Sequence, residues 1–402
     1  MSDSSTGLAG LTYLIVDDEE FIRTLIGRIL EKIGGVNIRT ANSGTGALAT
    51  IDADGAPDII LCDLNMPEMD GIEFLRHLVE RDFKGGVALI SGEDKRILDT
   101  VAQLGMAQNL TILGALSKPI TPAGLLELLQ KFLNRAEARG PRAGVEVSAA
   151  ELKAALDGGK LTAYFQPKVS VQTRQLVGVE TLVRWIDVDK GFIPPDAFIS
   201  VAENNGLIDQ LTDTVLAVAM QQGGAWLENG LDLKIAVNLS IDNLNRLDLP
   251  EFIVAAAQGA GMNPHHVVLE VTESRLMQDV IKPLEILTRL RLKGMALSID
   301  DFGTGHSSME QLKRIPFTEL KIDRAFVNGA GRDNTARSIL ESSVDLAKKL
   351  GMSIVAEGVE DQEDWDLVAS LGVDLIQGYF VCRPLPGPDL QDWLSDWNAQ
   401  TQ

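Results

Sequence analysis

The feature that most constrains the fold is an alternation of strand-length apolar runs with helical stretches, which occurs twice along the chain. In the first series, helical stretches such as 20–33 and 70–80 separate five apolar runs. The five runs are 11–16, 36–40, 58–62, 86–90 and 110–116. Strands that alternate with helices form a parallel sheet with helices on both faces. We therefore expect an α/β domain with a doubly wound sheet over residues 8–134.

The alternation is interrupted at 135–147, which contains the pair Gly140-Pro141. Gly-Pro pairs are typical of loops, so we interpret this stretch as a linker. Ser148, with Glu151 three residues later, predicts a helix start with a capping box. The region 148–397 again alternates strands and helices and has the size of a (β/α)8 TIM-type barrel. Its predicted strands are 161–169, 176–185, 233–239, 267–271, 296–300, 319–322, 353–356 and 375–376.

Composition excludes several classes of protein. The 402 residues include 57 acidic and 36 basic side chains, for a formal net charge of −21. Such a surface repels phosphate backbones, so we expect no binding to a nucleic-acid polymer. Cys62 and Cys382 cannot form a disulfide framework, and we expect a reducing, cytoplasmic location. No apolar run reaches the roughly 18 residues that a membrane span needs, so we expect no membrane insertion.

Five polar residues follow the predicted strands of the first domain: Asp17, Asp18, Asp63, Ser91 and Lys118. Ligands of open α/β sheets bind at the carboxyl ends of the strands, so these side chains should converge. Three neighbouring carboxylates repel one another unless they hold a hard cation, and Mg2+ suits them. Asp63 could then attack a phosphoryl donor while Lys118 neutralises the developing charge. The pattern predicts a phosphoacceptor pocket.

With these five positions in order, residues 8–134 resemble a response-regulator receiver domain. The resemblance implies a flavodoxin-like (βα)5 fold, phosphorylation of Asp63 by a cognate histidine kinase, and one Mg2+ or Mn2+ in the receiver pocket. The chain departs from the family at Ala115, where receivers usually have an aromatic switch residue. The effect of Ala115 on signal coupling stays open, as does the sign of regulation.

Polar residues also end nearly every predicted strand of the second region. Glu180, Asn238, Glu270 and Asp300 come from successive strands, and a barrel places such groups around one mouth. All four offer oxygen ligands, which favours Mg2+ or Mn2+ over zinc. Asp301 adjoins Asp300, so one aspartate could bridge to a second ion, as in a two-metal phosphodiesterase.

Two further residues complete this predicted site. Lys321 can hold an attacking water or the charge of a phosphorane. Glu357 can act as a general base or as a ligand of a second metal.

The region 148–397 resembles an EAL-type cyclic di-GMP phosphodiesterase, although its name motif reads Glu180-Thr181-Leu182. We expect the threonine to affect packing only, since strand alternation turns it away from the mouth. The resemblance implies two Mg2+ or Mn2+ ions in the barrel. The implied metal-site residues are Glu180, Asn238, Glu270, Asp300, Asp301, Asp323 and Glu360. The implied catalytic residues are Glu357, Lys321 and Glu273, which anchors the loop 301–308. The implied substrate contacts are Gln166, Leu182, Arg184 and Gln377.

Together these features predict a two-component response regulator whose barrel hydrolyses cyclic di-GMP to linear pGpG, controlled by phosphorylation of Asp63. The family usually pairs its barrels, so a homodimer or a larger homo-oligomer is expected. His306 stands where the family has a tyrosine, and we interpret it as a surface histidine. Two alternatives remain, a non-catalytic cyclic di-GMP sensor and a protein-docking regulator.

Overall fold

A computed structural model describes residues 8, 10–92, 98, 100–102, 104–105, 108, 110–138, 147–272, 281–303 and 309–401. The chain divides into two compact units, Met1–Ala143 and Gly144–Gln402. Among the described residues, no helix combines the length and the hydropathy that crossing a membrane requires.

The first unit is a five-stranded parallel sheet in the order β2-β1-β3-β4-β5, with helices between the strands. The strands are β1 (Thr12–Val16), β2 (Asn37–Ala41), β3 (Ile59–Asp63), β4 (Gly86–Ser91) and β5 (Thr111–Ser117). The described helices are α1 (Glu20–Ile33), α2 (Gly44–Asp54), α3 (Gly71–Glu80) and α4 (Pro122–Ala138). This strand order confirms the predicted flavodoxin-like fold.

Local sequence signals explain where these elements begin and end. The predicted helix 20–33 has the predicted bounds, and Gly34 ends it in the left-handed conformation that glycine adopts without strain. Ser43 and Asp70 accept hydrogen bonds from backbone amides in the first turns of α2 and α3. Helix α4 continues to Ala138, so the predicted linker 135–147 begins with four helical residues, 135–138.

The second unit is a closed barrel of eight strands with helices around it. Its strands are β6 (Leu161–Ser170), β7 (Leu176–Asp187), β9 (Lys234–Leu239), β10 (Val267–Thr272), β11 (Ala296–Phe302), β12 (Glu319–Ile322), β13 (Ser353–Glu357) and β14 (Leu375–Gln377). Two short strands, β8 (Gly191–Ile193) and β15 (Leu385–Pro386), pair with β7 and β6, respectively, outside the eight-strand barrel. The helices are α5 (Ala149–Asp157), α6 (Pro195–Asn204), α7 (Ile208–Glu228), α8 (Leu249–Gly259), α9 (Ile281–Leu292), α10 (Met309–Arg314), α11 (Arg324–Val327), α12 (Asn334–Leu350), α13 (Gln362–Leu371) and α14 (Leu390–Thr401).

The barrel has one reversed strand. Strand β6 runs antiparallel to both of its neighbours, β7 and β14, whereas all the other neighbouring strands of the barrel are parallel. The eight predicted strands are all present, which confirms the TIM-type barrel. The predicted capping box also forms: Ser148 Oγ accepts from the Glu151 amide, and Glu151 Oε2 accepts from the Ser148 amide.

Register between the strands aligns the polar residues of the barrel. Gln166 pairs with Glu180 across β6 and β7. Asn238 pairs with Glu270 across β9 and β10. Because paired residues lie side by side, polar side chains that end successive strands reach the same level of the barrel.

Candidate functional site

Three carboxylates converge at the carboxyl end of the first sheet. Asp17 follows β1 and Asp63 ends β3, and both side chains are buried, whereas Asp18 is exposed. One carboxylate oxygen of each lies within 4.8 Å of the others, which is a spacing that one metal ion can bridge. Lys118 Nζ lies 3.0 Å from Asp17 Oδ2 and 3.1 Å from Asp63 Oδ2. The predicted pocket therefore assembles around Lys118.

The electrostatics of this pocket favour a charged lysine. Burial raises the pKa of Asp63, although its hydrogen bond to Lys118 acts in the opposite direction. Burial alone would lower the pKa of Lys118, but hydrogen bonds to Asp17 and Asp63 raise it. Ser91 is buried beside them, since its carbonyl oxygen accepts from the Lys118 amide at 2.9 Å. Ala115, on β5, pairs with Leu89 of β4 and packs against the core.

In the barrel, Lys321 is the centre of a cluster of acidic side chains. It is almost fully buried at the end of β12. Its Nζ lies 2.7 Å from Glu357 Oε1, 2.8 Å from Glu270 Oε2, 3.0 Å from Asp300 Oδ1 and 3.5 Å from Glu180 Oε2. Burial alone would lower the pKa of Lys321, but the surrounding carboxylates raise it well above its usual value. Lys321 is therefore a permanent positive charge at the mouth.

Glu270 lies between two lysines. Its Oε2 contacts Lys321, and its Oε1 lies 2.6 Å from Lys168 Nζ. The side chain is fully buried, and burial alone would raise the pKa of Glu270. The two ammonium groups nevertheless lower this pKa to about 2. Glu270 is therefore an anion at every pH at which the protein would work.

Two amide side chains orient Glu180. Asn238 Nδ2 donates to Glu180 Oε1 at 2.8 Å, and Gln377 Nε2 donates to Glu180 Oε2 at 2.6 Å. Gln377 also donates to Gln166 Oε1 at 2.9 Å, and Gln166 donates to the carbonyl oxygen of Cys382. Burial raises the pKa of Glu180, and Lys321 opposes this effect.

Three carboxylates lie close enough to share a metal ion: Asp300, Asp301 and Glu357 each place an oxygen within 4.8 Å of the others. Burial raises the pKa of Glu357 to about 8, and Lys321 only partly offsets it. Burial and the charge of Asp300 raise the pKa of Asp301 to about 6. Acidic groups with raised pKa values bind a divalent cation in place of protons.

These groups surround a cavity of about 220 Å3 at the mouth. Glu180, Asp300, Lys321 and Glu357 line it together with Gln166, Glu360 and Gln377. The arrangement combines anionic oxygen ligands with one buried cation in a concave site. It therefore has the groups required to bind divalent metal and a phosphorylated substrate.

Comparison with known families assigns both units. A sequence model described as "EAL domain" matches residues 149–384. The chain belongs to the EAL domain family. A second model, described as "Response regulator receiver domain", matches residues 13–130. Both resemblances predicted from the sequence are thereby confirmed.

The relatives of this EAL protein include two proteins named as cyclic di-GMP phosphodiesterases. The "Cyclic di-GMP phosphodiesterase RocR" of Pseudomonas aeruginosa is 33% identical over 391 residues, which cover 96% of this chain and 99% of RocR. The "Bifunctional diguanylate cyclase/cyclic di-GMP phosphodiesterase MucR" of the same organism is 40% identical over 241 residues, which cover 60% of this chain and 35% of MucR.

Solved structures give the same assignment. The structure titled "PaMucR Phosphodiesterase, c-di-GMP complex" has a TM-score of 0.57 and 40% identity, and the match covers 60% of this chain and 98% of that one. A manganese and cyclic di-GMP complex of BlrP1 from Klebsiella pneumoniae has a TM-score of 0.51 and 28% identity. The match covers 57% of this chain and 56% of that one.

Some predicted site residues lie outside the central cluster of the EAL barrel. Leu182 and Arg184 line a neighbouring cavity of about 260 Å3, to which Thr181 and Asn238 also contribute. Arg184 stacks over the ring of Tyr164. Asp323 accepts a hydrogen bond from the Ala325 amide and so caps α11, although its charge contributes to the raised pKa of Asp301. Glu273 and His306 lie outside the described residues.

The structure also adds residues that the sequence analysis missed. Lys168 is buried beneath the cluster with Glu319, and Arg324 and Tyr379 line the central cavity. One sequence signal was available for Lys168, since it stands two residues after Gln166 on the same strand and so shares its face. The other three stand at a strand start, at a helix start and in a turn, where no periodicity indicates a direction.

Proposed function

We propose that this chain is a response regulator whose EAL barrel opens one phosphodiester bond of cyclic di-GMP to give linear pGpG. The observation that carries the proposal is the cluster around Lys321, in which four carboxylates from four strands meet one buried ammonium group. The match to RocR along nearly the whole chain supports it. We assign residues 8–134 to the receiver, 135–147 to the linker and 148–397 to the barrel.

The donor groups fit divalent cations. Among the described residues, the carboxylates and amides that line the central cavity or contact Lys321 all offer oxygen, and Asp300, Asp301 and Glu357 have the required spacing. We assign Glu180, Asn238, Glu270, Asp300, Asp301, Asp323 and Glu360 to a site for two Mg2+ or Mn2+ ions. Asp17, Asp18 and Asp63 would hold a third ion in the receiver. Bound cations of this kind supply Lewis acidity and lower the pKa of a coordinated water.

The remaining groups act on the substrate directly. The Lys321 ammonium group stabilises the negative charge that develops on the phosphorus oxygens and orients the attacking water. Glu357, whose Oε1 lies 2.7 Å from Lys321 Nζ, accepts the proton of that water at a carboxylate oxygen. Gln166 and Gln377 offer amide groups to the substrate from the cavity wall. Leu182 and Arg184 contact it from the neighbouring cavity, where the Arg184 guanidinium suits a phosphate.

Regulation and assembly belong to the same proposal. Asp63 accepts a phosphoryl group from a histidine kinase or a small phosphodonor, and Lys118 neutralises the added charge. Glu273 would anchor the loop 301–308. We further propose that the protein works in the cytoplasm as a homodimer or a larger homo-oligomer.

The test is chromatographic. Purified full-length protein is incubated with cyclic di-GMP and Mg2+, with and without EDTA, and pGpG is followed over time. We expect metal-dependent pGpG from the native protein and at least a 100-fold slower rate from Asp300→Asn, which loses one ligand charge. Asp345→Asn, an exposed aspartate on α12, is the control and should keep the native rate.

Two results would contradict the proposal. If the native protein binds cyclic di-GMP without cleaving it, the chain is a sensor. If folded Asp300→Asn turns over like the native protein, the metal assignment is wrong.

A further inference from the structure

Lys168 is a buried cation that the proposed reaction does not use. Its side chain is only 5% exposed, and it lies on β6 two residue pairs further into the barrel than Gln166 and Glu180. Its Nζ contacts Glu270 Oε1 at 2.6 Å and lies 3.7 Å from Glu319 Oε1. It does not line the central cavity, so it has no direct access to a substrate there.

The two oxygens of Glu270 have different partners. Oε1 contacts Lys168 on the closed side of the barrel, and Oε2 contacts Lys321 on the side of the other carboxylates. A carboxylate held at one oxygen cannot rotate about its last torsion without losing that contact. The Lys168 contact therefore selects the oxygen that faces the metal-binding cluster.

Glu319 lies on the other side of Lys168, at 3.7 Å from its Nζ. It starts β12, two residues before Lys321 on the same strand face, and its carboxylate is mostly buried. The four residues thus alternate in charge from the interior to the mouth: Glu319, Lys168, Glu270 and Lys321. Alternating charges in a buried row stabilise one geometry, because each group loses its partner if it moves.

We propose that Lys168 is a positioning residue for Glu270, which keeps Oε1 engaged so that Oε2 alone is presented to a divalent metal at the mouth. The proposal rests on the proposed function, because it takes Glu270 to be a metal ligand. Groups that orient a metal ligand typically change metal affinity by about 10- to 100-fold when they are removed.

A simple charge argument leads to the opposite expectation. Removal of a lysine from an anionic site makes that site more negative, which would strengthen cation binding. We expect loss of orientation to dominate, because Lys168 contacts only one of the proposed metal ligands and lies outside the central cavity. The direction of the change in affinity therefore discriminates between the two roles.

The experiment is a double-mutant cycle on metal binding. Full-length protein carrying Asp17→Asn, which weakens the receiver site, is titrated calorimetrically with MnCl2 in the absence of nucleotide. The cycle comprises this parent, Lys168→Met, Glu270→Gln and the double variant. We expect Lys168→Met to weaken Mn2+ binding by at least 10-fold. The double variant should bind like Glu270→Gln alone, because Lys168 acts only through Glu270.

Controls separate positioning from general destabilisation. Lys160→Met removes an exposed lysine just before the same strand and should leave Mn2+ affinity unchanged. In the activity assay, Lys168→Met should raise the Mn2+ concentration for half-maximal rate but leave the KM for cyclic di-GMP within about twofold. A purely structural role would lower the melting temperature and the rate at saturating Mn2+ without changing the affinity for Mn2+.

The outcomes are distinguishable. If Lys168→Met binds Mn2+ as tightly as the parent or more tightly, or if the two substitutions act independently, the positioning role is wrong. If Glu270→Gln binds Mn2+ like the parent, the metal assignment under the proposed function is wrong instead. If Lys168→Met fails to fold, Lys168→Gln keeps a hydrogen-bond donor and should weaken binding in the same direction, and unchanged affinity there would overturn the inference.

Discussion

Glu270 and Glu357 have the same carboxyl group and opposite electrostatic behaviour. Two ammonium groups enclose Glu270 and lower its pKa to about 2, whereas Glu357 has burial and neighbouring anions that raise its pKa to about 8. One residue is therefore suited to a constant negative charge and the other to accepting a proton near neutral pH. The difference between them depends on how many cations each one contacts.

The raised pKa of Glu357 predicts a pH dependence of stability in EDTA. Between about pH 4.5 and pH 8 the folded protein retains a proton on Glu357 that the unfolded chain has released. The free energy of unfolding should therefore fall as pH rises through this window. In Glu357→Gln, this fall in the free energy of unfolding should be smaller by about 2–4 kcal/mol.

Urea unfolding of both proteins at pH 5 and pH 8 measures the difference. Glu341 is an exposed residue on α12, and Glu341→Gln is the control. Its free energy of unfolding should change between the two pH values as in the native protein. If the free energy of unfolding changes between pH 5 and pH 8 by the same amount in the native protein and in Glu357→Gln, Glu357 does not titrate in this range.

At the scale of elements, the turn after β14 positions the glutamines of the site. Gly378 directly follows Gln377, and its carbonyl oxygen accepts from the Val381 and Cys382 amides. The Cys382 carbonyl oxygen then accepts from the Gln166 side chain at 3.0 Å. One tight turn therefore fixes both Gln166 and Gln377 relative to Glu180.

This turn requires a residue without a side chain. A Cβ atom on Gly378 would lie 2.1 Å from the backbone oxygen of Val359 and 2.5 Å from its nitrogen. Gly378→Ala should destabilise the barrel by about 1–3 kcal/mol, because backbone atoms must move. It should also lower the rate of pGpG formation, since Gln377 moves with the turn.

Gly259→Ala is the matched control. Gly259 ends α8 and has no atom within 4 Å of its Cβ position, so alanine should be neutral or stabilising by up to about 1 kcal/mol. Thermal melts and the chromatographic assay of both variants check the pair. A Gly378→Ala protein as stable and active as Gly259→Ala would contradict the role of the turn.

At the scale of the whole molecule, two acidic clusters lie in two separate compact units. Asp17, Asp18 and Asp63 belong to the first unit, and Asp300, Asp301 and Glu357 belong to the second. Each unit has its own hydrophobic core, so each should unfold as its own cooperative transition. A metal that binds only the folded state raises the melting temperature of the unit that contains its site.

Scanning calorimetry of the full chain tests this division. Mg2+ at about 100 times its dissociation constant should stabilise a unit by about 2.7 kcal/mol for each ion that the unit binds. Asp17→Asn should abolish the Mg2+ shift of one transition, and Asp300→Asn should abolish that of the other. If either substitution abolishes both shifts, the two metal sites do not act separately.

Most site residues could be predicted from the sequence, because they follow from the predicted helices and strands. Helix 20–33, the capping box at Ser148 and the eight barrel strands follow from signals that span only a few residues. Because parallel strands place their carboxyl ends at one edge, Asp17, Asp63 and Lys118 were expected to meet, and they do. The roles of all these site residues stay predictions, and Leu182, Arg184 and Asp323 lie beside the central cluster.

What the sequence alone determined is the fold of both units and the set of polar groups at the strand ends, because hydrophobic periodicity and strand-end position are local properties. The tertiary structure alone decided the direction of β6 and the pairing of charges inside the barrel. Lys168, Glu270 and Lys321 come from three strands far apart in the chain. Their contacts depend on which strands close the barrel, and so does the charge state of each carboxylate.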